Sequence, residues 1–468
     1  MSTEHIPTVL IVGAGLGGLI FGALLEKQGV PYTIFERAAT IKPLGSAMGV
    51  GPTLLHVFQQ LGIYEEFLTI SKRLNQTGAY KETLEPYRPS DYSFVEEYAG
   101  FAQYIVARPQ LHALFLRLIP SHKIHFGHRV LNILEKDDRV TVHLSNNATF
   151  EGDIVVGADG AYSAVRQRMY EQLKAKGELP KSDEEDLPFS CTCLVGQTKV
   201  LDPEVYPIIK EPFAQFSAVL GKERPYTWSI FTTPAGTLCW MVMHHLSKVT
   251  SKAALEQRFR NTDNAEWGGF QAQAMCDETR TFRIPTQDGK KTLGDLYDMT
   301  PKDLISMVML EEKVFQTWHS GRFVLLGDAC HKLHPNAGKG AVTAIHDAIS
   351  LANLLYAMPS KTSSDVTKIF EEYHKERYPV VMEAFNISQL MSKITERGLI
   401  GAVALYLLTR MPQWLWRLSL VKQLGFRPQA GFLKAVEAKG TVAAQAAPSE
   451  VMARAVYERR QQQGAMSL

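Results

Sequence analysis

The stretch Thr8-Val9-Leu10-Ile11-Val12-Gly13-Ala14-Gly15-Leu16-Gly17-Gly18 decides the fold. Its first five residues are β-branched or apolar throughout, which predicts a strand buried on both faces, as in a parallel sheet. Gly13, Gly15 and Gly18 then match G-x-G-x-x-G. The first permits a tight turn, the second the approach of backbone to a pyrophosphate, and the third close packing of helix on strand. An apolar helical stretch runs to about Lys27, and residues 31–35 read as a second strand ending in Glu36. A carboxylate there can accept hydrogen bonds from both hydroxyls of a ribose, while the helix N-terminus offers unpaired N–H groups to phosphates. A bare glycine turn would need neither the flanking strands nor the acid. The unit predicts a dinucleotide site.

Outward from this unit, residues 109–119 have helical spacing (Leu111, Leu114, Phe115, Leu118). Short alternating strands near 123–126, 130–134 and 140–144 predict a small meander. A buried strand at 154–156 ends in Gly157-Ala158-Asp159-Gly160, and residues 171–188, with the acidic run Asp183 to Asp186, read as a polar connection. From about Phe189 to Ile284 the pattern is strand-rich and aromatic. The nucleotide-type pattern resumes at 323–326 with Gly327-Asp328, then a helix near 341–355 and a long amphipathic helix near 365–396. The expected fold is α/β: a Rossmann-like domain built from discontinuous segments, 1–175 and 285–380, with an inserted β-sheet-rich substrate domain over 176–284. A helical cap over 381–440 and a polar tail over 441–468 complete the chain.

Composition narrows the function. The 468 residues are 45% hydrophobic and 21% charged, with a formal charge of +2, an ordinary globular balance. No basic excess points to nucleic acid. Five cysteines are too few for a disulfide scaffold, and Cys191-Thr192-Cys193 is not a zinc-ribbon pair. His244-His245 places neighbours on opposite strand faces, and His331 and His334 have no carboxylate cluster in sequence, so no metal site is expected. Neither a secretory signal nor a bilayer span is legible, and a cytoplasmic location is expected.

Further motifs decide which dinucleotide. Arg108-Pro109 opens a helix; Gly157-Ala158-Asp159-Gly160 is followed by Ser163 and Arg166; Gly327-Asp328-Ala329-Cys330-His331 is followed by Pro335, Gly338, Gly340 and Asp347. In this order they resemble the class A flavin monooxygenases of the para-hydroxybenzoate hydroxylase type, over most of residues 8–380. His331-Lys332 and Pro335-Asn336 look closest to the fungal enzymes that epoxidise or hydroxylate terpenoid and meroterpenoid intermediates. The resemblance implies non-covalent FAD, with Glu36 on the adenosine ribose, Gly49 or Val50 plus Arg108 along the cofactor, and Asp328 on the ribityl chain. Backbone at Gly340 and Ala341 would meet the flavin ring, and Asp159 would lie near the pyrophosphate while holding its own loop. A helix N-terminus at Gly340-Ala341 would stabilise negative charge on a reduced ring. Lys339 departs from many relatives and reads as a solvated loop lysine, or else an added cation near the flavin.

With one G-x-G-x-x-G, the reductant NAD(P)H would be a transient co-substrate, as in that family. The implied reaction inserts one oxygen atom of O2 into a hydrophobic small molecule through a flavin C4a-hydroperoxide, in secondary metabolism. A flavin-dependent halogenase or a prenyl-chain reductase would share the fold. No catalytic residue can be assigned: Ser190-Cys191-Thr192-Cys193 lacks the arginine some relatives carry, and Tyr226 reads as a packed core tyrosine rather than a proton donor. The apolar segment Leu399 to Leu424, broken by Pro412, is expected to be a cap packed on the substrate lobe, with peripheral membrane contact at most.

Overall fold

A computed structural model describes residues 6–136, 138–246, 269–335, 338–395 and 399–466; Asn336 of the narrower motif lies outside them. The apolar run Val9–Val12 is the buried centre of a six-stranded sheet. Its order is His319–Ser320, Phe323–Leu325, Ile154–Gly157, Val9–Val12, Tyr32–Glu36, Ile124–Phe126. All neighbours are parallel except His319–Ser320, which returns antiparallel along Phe323–Leu325. The stretch near 123–126 is therefore not part of the expected meander. It extends the parallel sheet beside Tyr32–Glu36, and the antiparallel sheet is made by Val130–Lys136, Arg139–Leu144 and Thr149–Gly152. Alternation alone did not distinguish an edge strand from a hairpin strand.

Helix Leu16–Gln28 ends on Gly29, whose φ of 71° is the left-handed turn that glycine adopts without strain. This helix packs on helix Gly340–Ala357, so distant segments close one core.

The second sheet has seven strands, in the order Ser306–Glu311, Phe189–Gln197, Leu238–His245, Tyr226–Thr232, Phe216–Leu220, Gln76–Lys81, Ser90–Asp91. Strand residues alternate between faces, and the two faces differ. One carries Tyr226, Trp228 and Trp240, buried with helices Gly269–Thr279 and Leu293–Asp298. The indole of Trp228 donates to Arg283 O at 2.8 Å, and that of Trp240 to Thr300 Oγ1 at 3.0 Å. The other face carries Cys191, Cys193, Met241, Met243 and Leu310. The sheet is not confined to 176–284, as the sequence led us to expect. Gln76–Lys81 and Ser306–Glu311 join from either side, because strand pairing is satisfied by partners far away in sequence.

At the C-terminus one expectation gains detail and another changes. The polar tail is helical and packed: Pro448–Met466 lies on Gly340–Ala357, with Ala447 and Ala453 buried and Ser449 N donating to Glu376 Oε2 at 2.7 Å. Its small residues allow close helix contact, a signal that reads as low complexity in sequence. Helices Leu399–Arg410 and Gln413–Gly425 do not roof the sheet. They pack by one side on helices Ser363–Thr395, Val95–Ala99 and Pro52–Leu61, touching the sheet at its edge, where Trp416 Nε1 donates to Asp91 O at 2.8 Å. Among the described residues, no helix is long and apolar enough to cross a membrane.

Candidate functional site

The glycine turn shows which residues the fold itself requires. A Cβ on Gly13, at φ +106°, would lie 2.4 Å from Ala158 O, and one on Gly18 would lie 2.1 Å from Gly13 O. Both are closed to side chains by backbone. Gly15 differs: its nearest neighbour would be Ala158 O at 4.0 Å, ordinary contact. Protein packing does not demand a glycine there, and the helix N-terminus beside it is left open to close approach. Glu36 holds the turn in shape. Its Oε2 accepts from Ala14 N and its Oε1 from Ala38 N, both at 2.9 Å. From the other side, His112 Nε2 donates to Ala14 O at 2.7 Å, and burial depresses the imidazole's pKa, consistent with a neutral ring.

Asp159 follows the adjacent strand. Its Oδ2 accepts from Ala164 N at 2.6 Å, capping helix Ala164–Lys176, while Oδ1 is buried without a protein partner. Burial raises the carboxyl's pKa, and hydrogen bonds from Ser163 and backbone only partly oppose this. Arg166 ties two loops together, donating to Ala161 O and to Ala329 O, each at 2.6 Å, with its guanidinium over the Phe315 ring.

Two carboxylate centres lie around Gly327-Asp328, Asp328 itself and Asp347 of helix Gly340–Ala357. Asp347 is sealed: His331 Nε2 lies 2.5 Å from its Oδ2, Arg377 Nε lies 2.9 Å from its Oδ1, and Gly327 N also donates to it. Burial pushes this carboxyl up, but His331 and Arg377 outweigh it and hold it at about 2. Cys330, His331 and Asp347 present ligand-type atoms within 4.8 Å, yet Arg377 already occupies the place of a cation. Asp328 is open: its side chain is 37% exposed and meets Lys332 Nζ at 2.7 Å. Desolvation raises its pKa, and Lys332, with His331 and Arg108 further off, brings it below the usual value. Arg108 is likewise exposed although desolvation is the main influence on it, which is the situation of a cleft wall. Its own N–H donates to Ser46 O at 2.9 Å, beside strand Ala47–Val50.

Gly340 and Ala341 begin helix Gly340–Ala357. No atom would lie within 4 Å of a Cβ on Gly338 or Gly340, so this loop borders open space. The structure thus gathers Gly13, Gly15, Gly18, Glu36 and Asp159 at the turn, and brings Arg108 within electrostatic reach of Asp328. Val50 is wholly buried, leaving only its backbone to face a ligand, and a Cβ on neighbouring Gly49 would meet Gln103 Nε2 at 3.0 Å. Lys339 is not a free loop lysine: its Nζ donates to Gln423 Oε1 at 2.6 Å. Tyr226 lies in the aromatic core, stacked on His244 at 4.5 Å, on the side away from the sulfur-bearing face.

Sequence reasoning missed three groups. Lys332 had a local signal, the i,i+4 spacing from Asp328. Glu311 and Tyr162, which are hydrogen-bonded to each other, had none, since they are brought together from different lobes. Burial raises the Glu311 carboxyl to about 7, with Lys332 partly opposing.

Residues 7–197 and 271–388 match the family described as FAD binding domain. The chain belongs to that FAD-binding family. A cleft with an open-sided Gly15, an unpartnered Asp159 Oδ1 and exposed charges suits such a cofactor. The chain is 27% identical over 407 residues to FAD-dependent monooxygenase paxM of Penicillium paxilli, covering 83% of this chain and 79% of the relative. It is 26% identical to FAD-dependent monooxygenase nodM of Hypoxylon pulicicidum, covering 86% and 84% respectively. The fold is shared with Klebsiella pneumoniae HpxO complexed with FAD and uric acid, at TM-score 0.67 and 19% identity over 88% of this chain and 95% of that one. This flavoprotein is an FAD-dependent monooxygenase, an oxidoreductase.

Proposed function

We propose that this monooxygenase inserts one oxygen atom of O2 into a hydrophobic small molecule of secondary metabolism, by epoxidation or hydroxylation, with NAD(P)H as a transient reductant. FAD supplies the electron storage and oxygen activation that side chains lack. The observation that carries the reading is the charged group Arg108, Asp328 and Lys332, reached by solvent and electrostatically coupled.

In this proposal the backbone of Gly13, Gly15 and Gly18 binds the pyrophosphate, and Glu36 takes the ribose hydroxyls on lone pairs its backbone bonds leave free. Asp159 keeps its loop in place near the phosphates. Asp328 accepts from the ribityl chain, while Lys332 keeps its carboxylate ionised and oriented. Arg108, with the backbone of Gly49 and Val50, lines the cofactor's length, and the N–H groups of Gly340 and Ala341 face the flavin ring. The sheet face bearing Cys191, Cys193, Met241 and Met243 gives an apolar, polarisable wall for the substrate and excludes water from the reacting oxygen.

The test is turnover with NADPH, or NADH, and O2 labelled with heavy oxygen, on a panel of prenylated aromatics. One labelled atom per product molecule is expected. Halogenated or merely reduced products, or product without label, would refute the reading.

A further inference from the structure

Two helices near the C-terminus are apolar on more sides than the fold covers. Along Gln413–Gly425, Trp416, Leu420 and Leu424 are spaced four apart and pack with Phe94 and Tyr98. Trp414 and Leu418, also four apart, point the other way. On helix Leu399–Arg410, Val403, Tyr406 and Leu407 have the spacing of a single helical stripe. These five side chains, from both helices, are between 54% and 67% exposed. A surface helix ordinarily turns polar residues outward. Exposed apolar stripes on two consecutive helices call for an occupant.

The charge pattern selects it. Residues 397–436 contain no Asp or Glu. Two acids beside these helices are paired to their own cations, Asp91 with Arg417 and Glu383 with Lys422. At the Pro412 break, Arg410 lies over the Tyr406 ring at 4.3 Å, and Arg88 donates to Met411 O at 3.2 Å. A tryptophan and a tyrosine beside arginines, over leucine and valine, suit the boundary between lipid headgroups and acyl chains. A second copy of the same face would set Arg410 and Arg88 against their own counterparts with no acid between them.

We propose that this two-helix face seats on an anionic phospholipid surface, in the plane of the interface and without crossing it. The surface is independent of the flavin chemistry. It places the protein where a hydrophobic substrate partitions.

The test pellets the holoenzyme with vesicles of phosphatidylcholine alone and of phosphatidylcholine with phosphatidylserine, with light scattering run alongside. Wild type should pellet with the serine-containing vesicles, less so as salt is raised. Leu407→Ser with Trp414→Ser and Leu418→Ser should reduce the bound fraction at least roughly tenfold, with FAD content and melting temperature unchanged. Failure of wild type to pellet, or equal pelleting by the triple variant, would overturn the proposal. Equal binding to neutral vesicles would overturn its anionic part. A dimer that the triple variant converts to monomer would make the face a self-contact instead.

Discussion

Asp328 and Asp347 sit on neighbouring elements, the Gly327–Ala329 turn and the Gly340–Ala357 helix, and each meets a cation within 3 Å. Their surroundings are opposite. Asp347 and Arg377 are 0% and 1% exposed, whereas Asp328 and Lys332 are 37% and 23% exposed. A sealed pair has both ions' hydration replaced by protein, so losing one partner strands the other. A pair open to a cleft is screened and is worth little to the fold, but its lone pairs and charge remain available to a ligand. The sealed centre fixes the architecture; the open one is where chemistry can enter.

The comparison breaks first at Asp347. Asp347→Ala leaves Arg377 buried without its carboxylate and should cost about 3–5 kcal/mol in urea unfolding. A loss under about 1 kcal/mol would mean the centre is not sealed. The same carboxyl, lowered from 3.8 to about 2, contributes stability that is present above 3.8 and lost as pH falls through 2, so the variant's acid unfolding should lose that limb.

Asp328→Ala should leave the stability of the cofactor-free protein within about 1 kcal/mol. FAD binding should fall on the order of ten- to hundredfold, the value of a lost charge-assisted hydrogen bond, as read by titration of deflavinated protein. Unchanged affinity would remove Asp328 from the site.

Glu311 sharpens the contrast, being buried beside the open pair. Its carboxyl rises from 4.5 to about 7, so between those values the native state holds more protons than the unfolded one and stability falls as pH rises. Glu311→Gln should flatten melting temperature across this window; an unchanged slope would exclude the residue as its source. The smallest effect belongs to Lys332→Met. The half-open pair is worth at most about 1 kcal/mol, so FAD affinity should drop by a few-fold at low salt, and less at high salt.

The sequence made the nucleotide unit legible because its requirements are local. Gly13 and Gly18 are dictated by contacts within a few residues or with one neighbouring strand, and Glu36 closes the same βαβ unit. Asp328 was legible through its glycine context, though its partner Lys332 entered only within a family resemblance. Glu311 with Tyr162, and Asp347 with Arg377, depend on contacts across 149 and 30 positions, which no local spacing announces. The same holds for Gln76–Lys81, whose place in the second sheet is decided by its partner Phe216–Leu220.

The most direct measurement is the flavin itself. Purified protein should be yellow and carry one FAD per chain, released into solution by acid precipitation because it is held without a covalent bond. A folded, colourless protein that takes up no added FAD would contradict the account.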